Sequence, residues 1–430
     1  MRSRAGLLLG GAALLWLASW DQAQAAGYGI YEQGSAVMGM AGAGTASVSD
    51  ASAIFYNPAA LTRLEGPQAY LGGSLLTPVT SFAGIAPYPG YGVTEKMKSQ
   101  YFPLPALYYA RRLGERAAGG IGVGAPFGLG VNWENPDQFT GRYIVTEAKL
   151  IDVTTQLAGS YALTDQVSLG LGADLLFTKV HLENRVLAPI PGGGGQQTNV
   201  AKTELDSDMK TAWGWNAGIS VAPSKEYRLG ATYRGKIVAK PEGDATFTQI
   251  PTGDPTFDAA VAAGLPPDQR LDTVLRFPAI WTAGGAWMPG DWTLEGDAVF
   301  TEWSVFRDLP INFQSTPSAS RTIVENYDDT WAFRFGAEHR LPSFTYRFGY
   351  YFEQEAAPSE SVTPLLPDAA RNGVTLGFGK SWGAWNLDVY NLFLFVDRRS
   401  TEGVNRDGFD GEYKTYVNSF GFNLGYHWSP

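Results

Sequence analysis

The feature that most limits what this chain can fold into is an alternation of period two, carried over many segments of about a dozen residues or more. In the last of them Tyr416, Phe420, Phe422, Leu424, Tyr426 and Trp428 fall on one side, and Ser419, Gly421, Asn423, Gly425 and His427 on the other. Successive side chains of a strand point to opposite faces, so each segment reads as a strand with one apolar face and one small or polar face. The rule repeats in Phe344, Tyr346, Phe348, Tyr350 and Phe352 against Thr345, Arg347, Gly349 and Glu353, and in Trp331, Phe333 and Phe335 against Arg334, Gly336 and Glu338. It holds again in Val167, Leu169, Leu171, Ala173 and Leu175 against Ser168, Gly170, Gly172 and Asp174. A soluble sandwich also alternates, but its strands usually run about 3–10 residues. Strands of this length match an outer-membrane barrel, where one face meets lipid and the other a polar lumen. Trp213, Trp215, Trp281, Trp287, Trp292, Trp382 and Trp385 fall at strand ends, as in the aromatic girdles at the two membrane interfaces. Mean hydropathy is only −0.13 although the chain holds 13 Trp, 21 Tyr and 23 Phe, because the two faces cancel in any average.

The connections sort into two kinds. Six are tight and rich in turn formers: 113–116, 163–166, 223–226, 288–291, 340–343 and 381–384. Seven are long: near 87–97, 132–141, 187–203, 242–270, 308–329, 355–371 and 399–412. The two kinds alternate strictly, which gives fourteen strands with short turns at the periplasmic end and long loops outside. The third strand is expected over 118–132, the fifth over 166–187 and the sixth over 204–222.

Two segments precede the barrel. Arg2 and Arg4, the apolar stretch Ala5–Leu17 and the small-residue tripeptide Ala23-Gln24-Ala25 have the form of a secretory signal peptide over residues 1–25. Residues 26–66 do not alternate and carry few charges, so they have little reason to stay a solvated tail. They are expected to form a hatch, or plug, inside the lumen of a barrel spanning 67–430. The fold class is therefore all-β: a fourteen-stranded antiparallel transmembrane β-barrel with an N-terminal hatch.

Other chemistries lack their residues. His181, His339 and His427 are widely separated and there is no cysteine, which speaks against a metal site and a disulfide scaffold. Gly192–Gly195 is followed by two glutamines rather than by Lys-Ser/Thr, so it does not cradle phosphate. A net charge of −10 disfavours nucleic acid as a partner. We expect no enzyme activity and no cofactor. The inward charges Arg228, Arg234, Glu295, Asp297, Arg334, Arg347, Glu353 and Asp388 are expected mainly to pair with one another across the lumen.

Several stretches, in order along the chain, resemble the long-chain fatty acid transporter family of outer membranes (FadL/TodX type). They are Ala26-Gly27-Tyr28, Asn57-Pro58-Ala59, Trp213-Gly214-Trp215-Asn216-Ala217-Gly218-Ile219, Phe277-Pro278-Ala279-Ile280-Trp281 and Phe300-Thr301-Glu302-Trp303-Ser304. The resemblance implies passive uptake of long-chain fatty acids or similar hydrophobic molecules. Substrate would be caught by the outer loops 187–203 and 242–270, bound in a lumen pocket near the mature N-terminus, and released sideways at a kink in the third strand. The matching kink is Gly124, Pro126 and Gly128; proline cannot donate to the ladder and glycine weakens it. Phe55, Phe127, Val131 and Phe139 are the expected substrate contacts. Where the family places an arginine directly after an apolar-Glu step in the fifth strand, this chain has Leu182-Glu183-Asn184 and then Arg185, which becomes the candidate carboxylate ligand; Asp328 stands where a family lysine is found. A transporter of neutral aromatic hydrocarbons is the alternative within transport, and a polar porin or surface receptor the alternative outside it. Expected partners are the hydrophobic substrate, outer-membrane lipid and lipopolysaccharide, and the barrel assembly machinery, with the chain acting as a monomer.

Overall fold

The computed structural model describes residues 27–428; the expected signal peptide, Ala26 and residues 429–430 lie outside the described residues. Fourteen strands wind up and down in sequence: β1 Gln68–Gly84, β2 Phe102–Arg112, β3 in two pieces, Ala117–Gly124 and Leu129–Asn132, β4 Glu147–Ala162, β5 Val167–Pro189, β6 in two pieces, Gln197–Ser207 and Lys210–Val221, and β7 Tyr227–Arg234. The second half runs β8 Ile280–Trp287, β9 Trp292–Thr301, β10 Thr330–Arg340, β11 Thr345–Glu353, β12 Arg371–Trp382, β13 Trp385–Val396 and β14 Gly411–His427. Each pairs antiparallel with the next. β14 returns to β1, from Gln68 opposite His427 to Gly84 opposite Gly411, and closes the ring.

The alternation in the sequence is the two faces of this wall. On β14, Phe420 is 51% exposed on the outside while its neighbour Ser419 is 0% exposed on the inside. The tryptophans at strand ends point outward and are exposed. Inside, the charges on facing strands pair: Arg347 joins Glu338 (2.7 Å) and Asp388 (2.6 Å), and Arg234 joins Asp174 (2.6 Å). Such pairs satisfy polar groups that a narrow, protein-filled lumen would otherwise leave bare.

One strand bound is revised, and the outer connections add structure of their own. Three of the long connections carry strands of an outer sheet, which runs from Gln197–Ser207 through Glu242–Gln249, Gln269–Thr273, Asp308–Phe313 and Arg321–Val324. A helix, α1 Pro255–Gly264, capped by the Asp254 side chain, sits between two of these strands. The sixth strand accordingly begins at Gln197 rather than 204, with a step at 208–209. The third strand, expected over 118–132 with a kink at Gly124, Pro126 and Gly128, stops at Gly124 and resumes at Leu129.

Candidate functional site

Residues 27–64 pack against inward-facing side chains on many strands. The Ser35 N–H and hydroxyl donate to Asn423 Oδ1 on β14 (2.9 and 2.7 Å), and the Ala41 N–H donates to Thr375 Oγ1 on β12 (2.9 Å). On β9 two carboxylates receive a run of backbone donors: Asp297 takes the N–H groups of Gly44 and Thr45 (3.0 and 3.1 Å), and Glu295 those of Ala46 and Ser47 (2.7 and 3.1 Å). Asn57 caps the short helix Pro58–Arg63 through its side-chain oxygen, while its amide donates to Thr45 O (2.8 Å) and to Ile219 O on β6 (3.1 Å). Wall glycines make room for this segment. A Cβ at Gly336 would press on Met40, one at Gly349 on Ala41 and one at Gly377 on Gly39. That is why the inward face of these strands reads glycine where the outward face reads aromatic.

The wall is discontinuous between β2 and β3. β2 pairs with β3 from Arg112 opposite Ala118 up to Leu107 opposite Val123, and no further. Beyond that point Phe102–Ala106 keeps its partners on β1 only. β3 pairs with β4 at Gly124 opposite Thr154 and again at Leu129 opposite Leu150, leaving four residues, 125–128, against three, 151–153. The displaced residues turn to the N-terminal tip instead. Ile30 N–H donates to Pro126 O (2.8 Å) and Gly128 N–H to Tyr28 O (3.0 Å). The Gln33 side chain bonds both ways to Ala125, giving its N–H₂ to the carbonyl (2.9 Å) and accepting the backbone N–H (3.0 Å). The polar groups freed by the break are thus satisfied inside the protein, as an interior requires. Pro103 and Pro105 on β2 bring no N–H to this seam.

A cavity of about 620 Å³ opens behind the break. Its inner wall is apolar and aromatic: Tyr28, Phe55, Phe127, Val131, Trp303 and Leu366. Tyr28 is the hub, edge-on to Trp303 (4.8 Å), Phe306 (5.2 Å) and Phe277 (6.0 Å). The lining also includes Pro103, Pro105, Ile151 and Val153, whose side chains belong to the outer, lipid-side face, so the cavity passes through the wall. Its polar lining is sparse and charged: Asp152, Arg234, Arg334, Glu353 and Arg371 among others. An apolar chamber of this size with a few charged groups has the character of a site for a small hydrophobic molecule.

The sequence candidates divide. Phe55, Phe127 and Val131 line the cavity, with Phe55 under the Arg234 guanidinium (4.7 Å). Phe139 does not; it stacks on Trp133 (4.4 Å) beneath the outer loops. Arg185 lies in a separate outer pocket with Tyr88 and Tyr143, held by Asp137 (2.6 Å) and Glu183 (2.7 Å). Gly124 and Gly128 flank Pro126 at the break; a Cβ at Gly124 would meet the Gln33 side chain, and one at Gly128 would lie 2.8 Å from Ile30 Cδ1. Asn57, Pro58 and Ala59 sit away from the cavity, against β5 and β6. Sequence reading missed Gln33, Asp152 and the pair Pro103/Pro105. Only the prolines left a signal, Phe-Pro-Leu-Pro inside a strand pattern.

Residues 16–429 match the profile of the family described as outer membrane protein transport protein (OMPP1/FadL/TodX). The long-chain fatty acid transport protein of Escherichia coli (strain K12) is 22% identical over 94% of this chain and 95% of its own length. Outer membrane protein P1 of Haemophilus influenzae is 24% identical over 83% of this chain and 82% of its own. Among solved structures, a Pseudomonas aeruginosa FadL homologue has a TM-score of 0.82 at 21% identity, covering 93% of this chain and 99% of its own. The Pseudomonas putida toluene transporter TodX has a TM-score of 0.72 at 18% identity, covering 93% and 99%.

Proposed function

The chain belongs to the outer membrane transport protein family OMPP1/FadL/TodX, and from that premise we propose that it takes up long-chain fatty acids or similarly apolar molecules and releases them sideways into the membrane at the break in β3. It is an outer-membrane β-barrel of a family of transporters rather than enzymes. The observation that carries the proposal is the continuity of the cavity: one apolar space is lined by Tyr28 and Phe127 on the inside and by Pro103 and Ile151 on the outside. A substrate following it never needs to cross the polar floor, where residues 35–62 are bonded to the wall. In this reading residues 27–64 are the hatch. The outer sheet and α1 gather substrate, the aromatic cluster around Tyr28 binds it, and movement of the tip 27–33 away from 125–128 frees the exit. Each tip bond exchanged for one to water costs about 1 kcal/mol net per neutral hydrogen bond, so the movement is accessible where water reaches the freed groups through the lumen.

Uptake of labelled oleate and of toluene by cells lacking their own fatty-acid porter tests this reading, with insertion of the barrel verified. Uptake above the empty-vector level, alongside near-silent planar bilayers, supports a plugged hydrophobic transporter. Steady ion conductance with no hydrophobic uptake would make it a polar porin.

A further inference from the structure

Among the cavity arginines, Arg234 is matched by Asp174 (2.6 Å) and Arg371 by Glu353 (3.2 Å). Arg334 has no carboxylate within ion-pair distance among the described residues. It is 3% exposed, and its Nε is buried without a hydrogen-bond partner. Three contacts fix the side chain: Nη1 donates to Ala41 O (3.0 Å), and the guanidinium lies over the rings of Tyr31 (3.9 Å) and Tyr351 (4.7 Å). Aromatic faces and one carbonyl hold a cation in place but leave its charge and one donor unanswered. A buried charge of this kind is costly until an anion meets it.

We infer that Arg334 is the specificity-determining cation of the cavity, receiving the carboxylate of an acidic hydrophobic substrate whose chain extends along the aromatic wall toward the break. The inference rests on the transport reading above and names the substrate class within it. Arg334 stands on β10, well away from Arg185, which two carboxylates already occupy in its own outer pocket. One group opposes the assignment electrostatically and sharpens it. Glu32 lines the same cavity, is buried, and accepts the Tyr31 N–H (2.9 Å) without an ion pair among the described residues. An incoming carboxylate competes with Glu32 for the field of Arg334, so the two side chains should affect binding in opposite directions.

The test is binding of oleate and of methyl oleate to purified full-length barrel. The two share a chain and differ only in charge. Arg334→Gln should weaken oleate binding about tenfold or more and leave methyl oleate unchanged, with Arg334→Lys recovering part of the loss. Glu32→Gln should tighten oleate binding and leave the ester alone. Equal losses for acid and ester in Arg334→Gln, or no loss for either, overturn the assignment while leaving transport intact. Failure of the wild-type protein to bind either ligand overturns the transport reading on which the assignment rests.

Discussion

Two seams of the same wall are built on opposite plans. Along β1 and β14, every residue from Gln68 to Gly84 faces a partner, and the seam holds as continuous sheet. Along β2 and β3, pairing ends at Leu107 and Val123, and the next stretch of β3 is bonded to residues 28–33 instead. Both seams leave few polar groups unsatisfied, but by different means. Strand-to-strand pairing can open only by unzipping a sheet in a medium without water, where each bare group costs several kcal/mol. Pairing to a detachable tip can open by moving one short peptide. In our account the exit therefore lies where the wall has a replaceable partner.

The largest effect is expected at the N-terminal segment itself. Gly349→Leu places a large side chain where Ala41 touches β11, with Gly336→Leu doing the same to Met40 on β10. Since both positions face inward, the barrel should still assemble, but the N-terminal segment should be displaced and planar-bilayer conductance should rise from near silence to porin-like steps. A folded, silent Gly349→Leu barrel would mean the segment does not block the lumen. A smaller effect is expected at the latch. Gln33→Ala removes both bonds to Ala125 and leaves that buried backbone pair unmet, at about 1–3 kcal/mol. Hydrogen exchange at 125–128 should quicken about tenfold or more, with no change in the β1–β14 amides. Similar quickening in both seams would mean that the tip does not hold 125–128 separately from the sheet. Asn57→Ala, at the anchored end, should cost about 0.5–2 kcal/mol of local stability through loss of the Pro58–Arg63 cap and should also free Thr45 O and Ile219 O, seen as faster exchange in that helix with 125–128 unchanged.

The least of these effects concerns the outer cap. Burial, with Asp407 nearby, pushes the Glu325 carboxyl up to about 8, and burial raises Asp368 to about 7. Both groups are neutral in the folded cap at low pH. Their stabilising contribution is full below the ordinary carboxylate range and is lost as pH rises through about 7 to 8. Proteolytic nicking of the outer loops should therefore increase between about pH 5 and pH 8, and Glu325→Gln should flatten that increase. A flat wild-type profile would contradict the burial of these groups.

The barrel was legible because lipid and lumen impose different solvents on alternate residues, so Phe420 and Ser419 announce their faces without help from tertiary contacts. The outer strands were not, since Glu242–Gln249 and Asp308–Phe313 lie beyond the membrane and carry no such constraint. The composition of 26–66 spoke against a solvated tail, yet nothing in it identified Gln33, whose role depends on meeting Ala125 some ninety residues away. Arg185 was readable as a cation in the right strand. That β5 runs on to Pro189, so that this arginine reaches Asp137 in the outer cap, is a matter of strand length that periodicity does not report. Phe139 looked like a substrate contact for its apolarity alone, and the stack on Trp133 accounts for it equally well.

If substrate leaves through the break in β3, repairing that strand should close the path. Deleting Gly128 and changing Pro126 to Val leaves three residues opposite 151–153, which restores the register between Gly124 and Leu129 on β4. The repaired barrel should fold, with the β1–β14 seam unchanged, and its uptake of hydrophobic substrate should fall to the empty-vector level. Wild-type uptake through a repaired strand would contradict exit at the break and send the path elsewhere, toward the periplasmic floor.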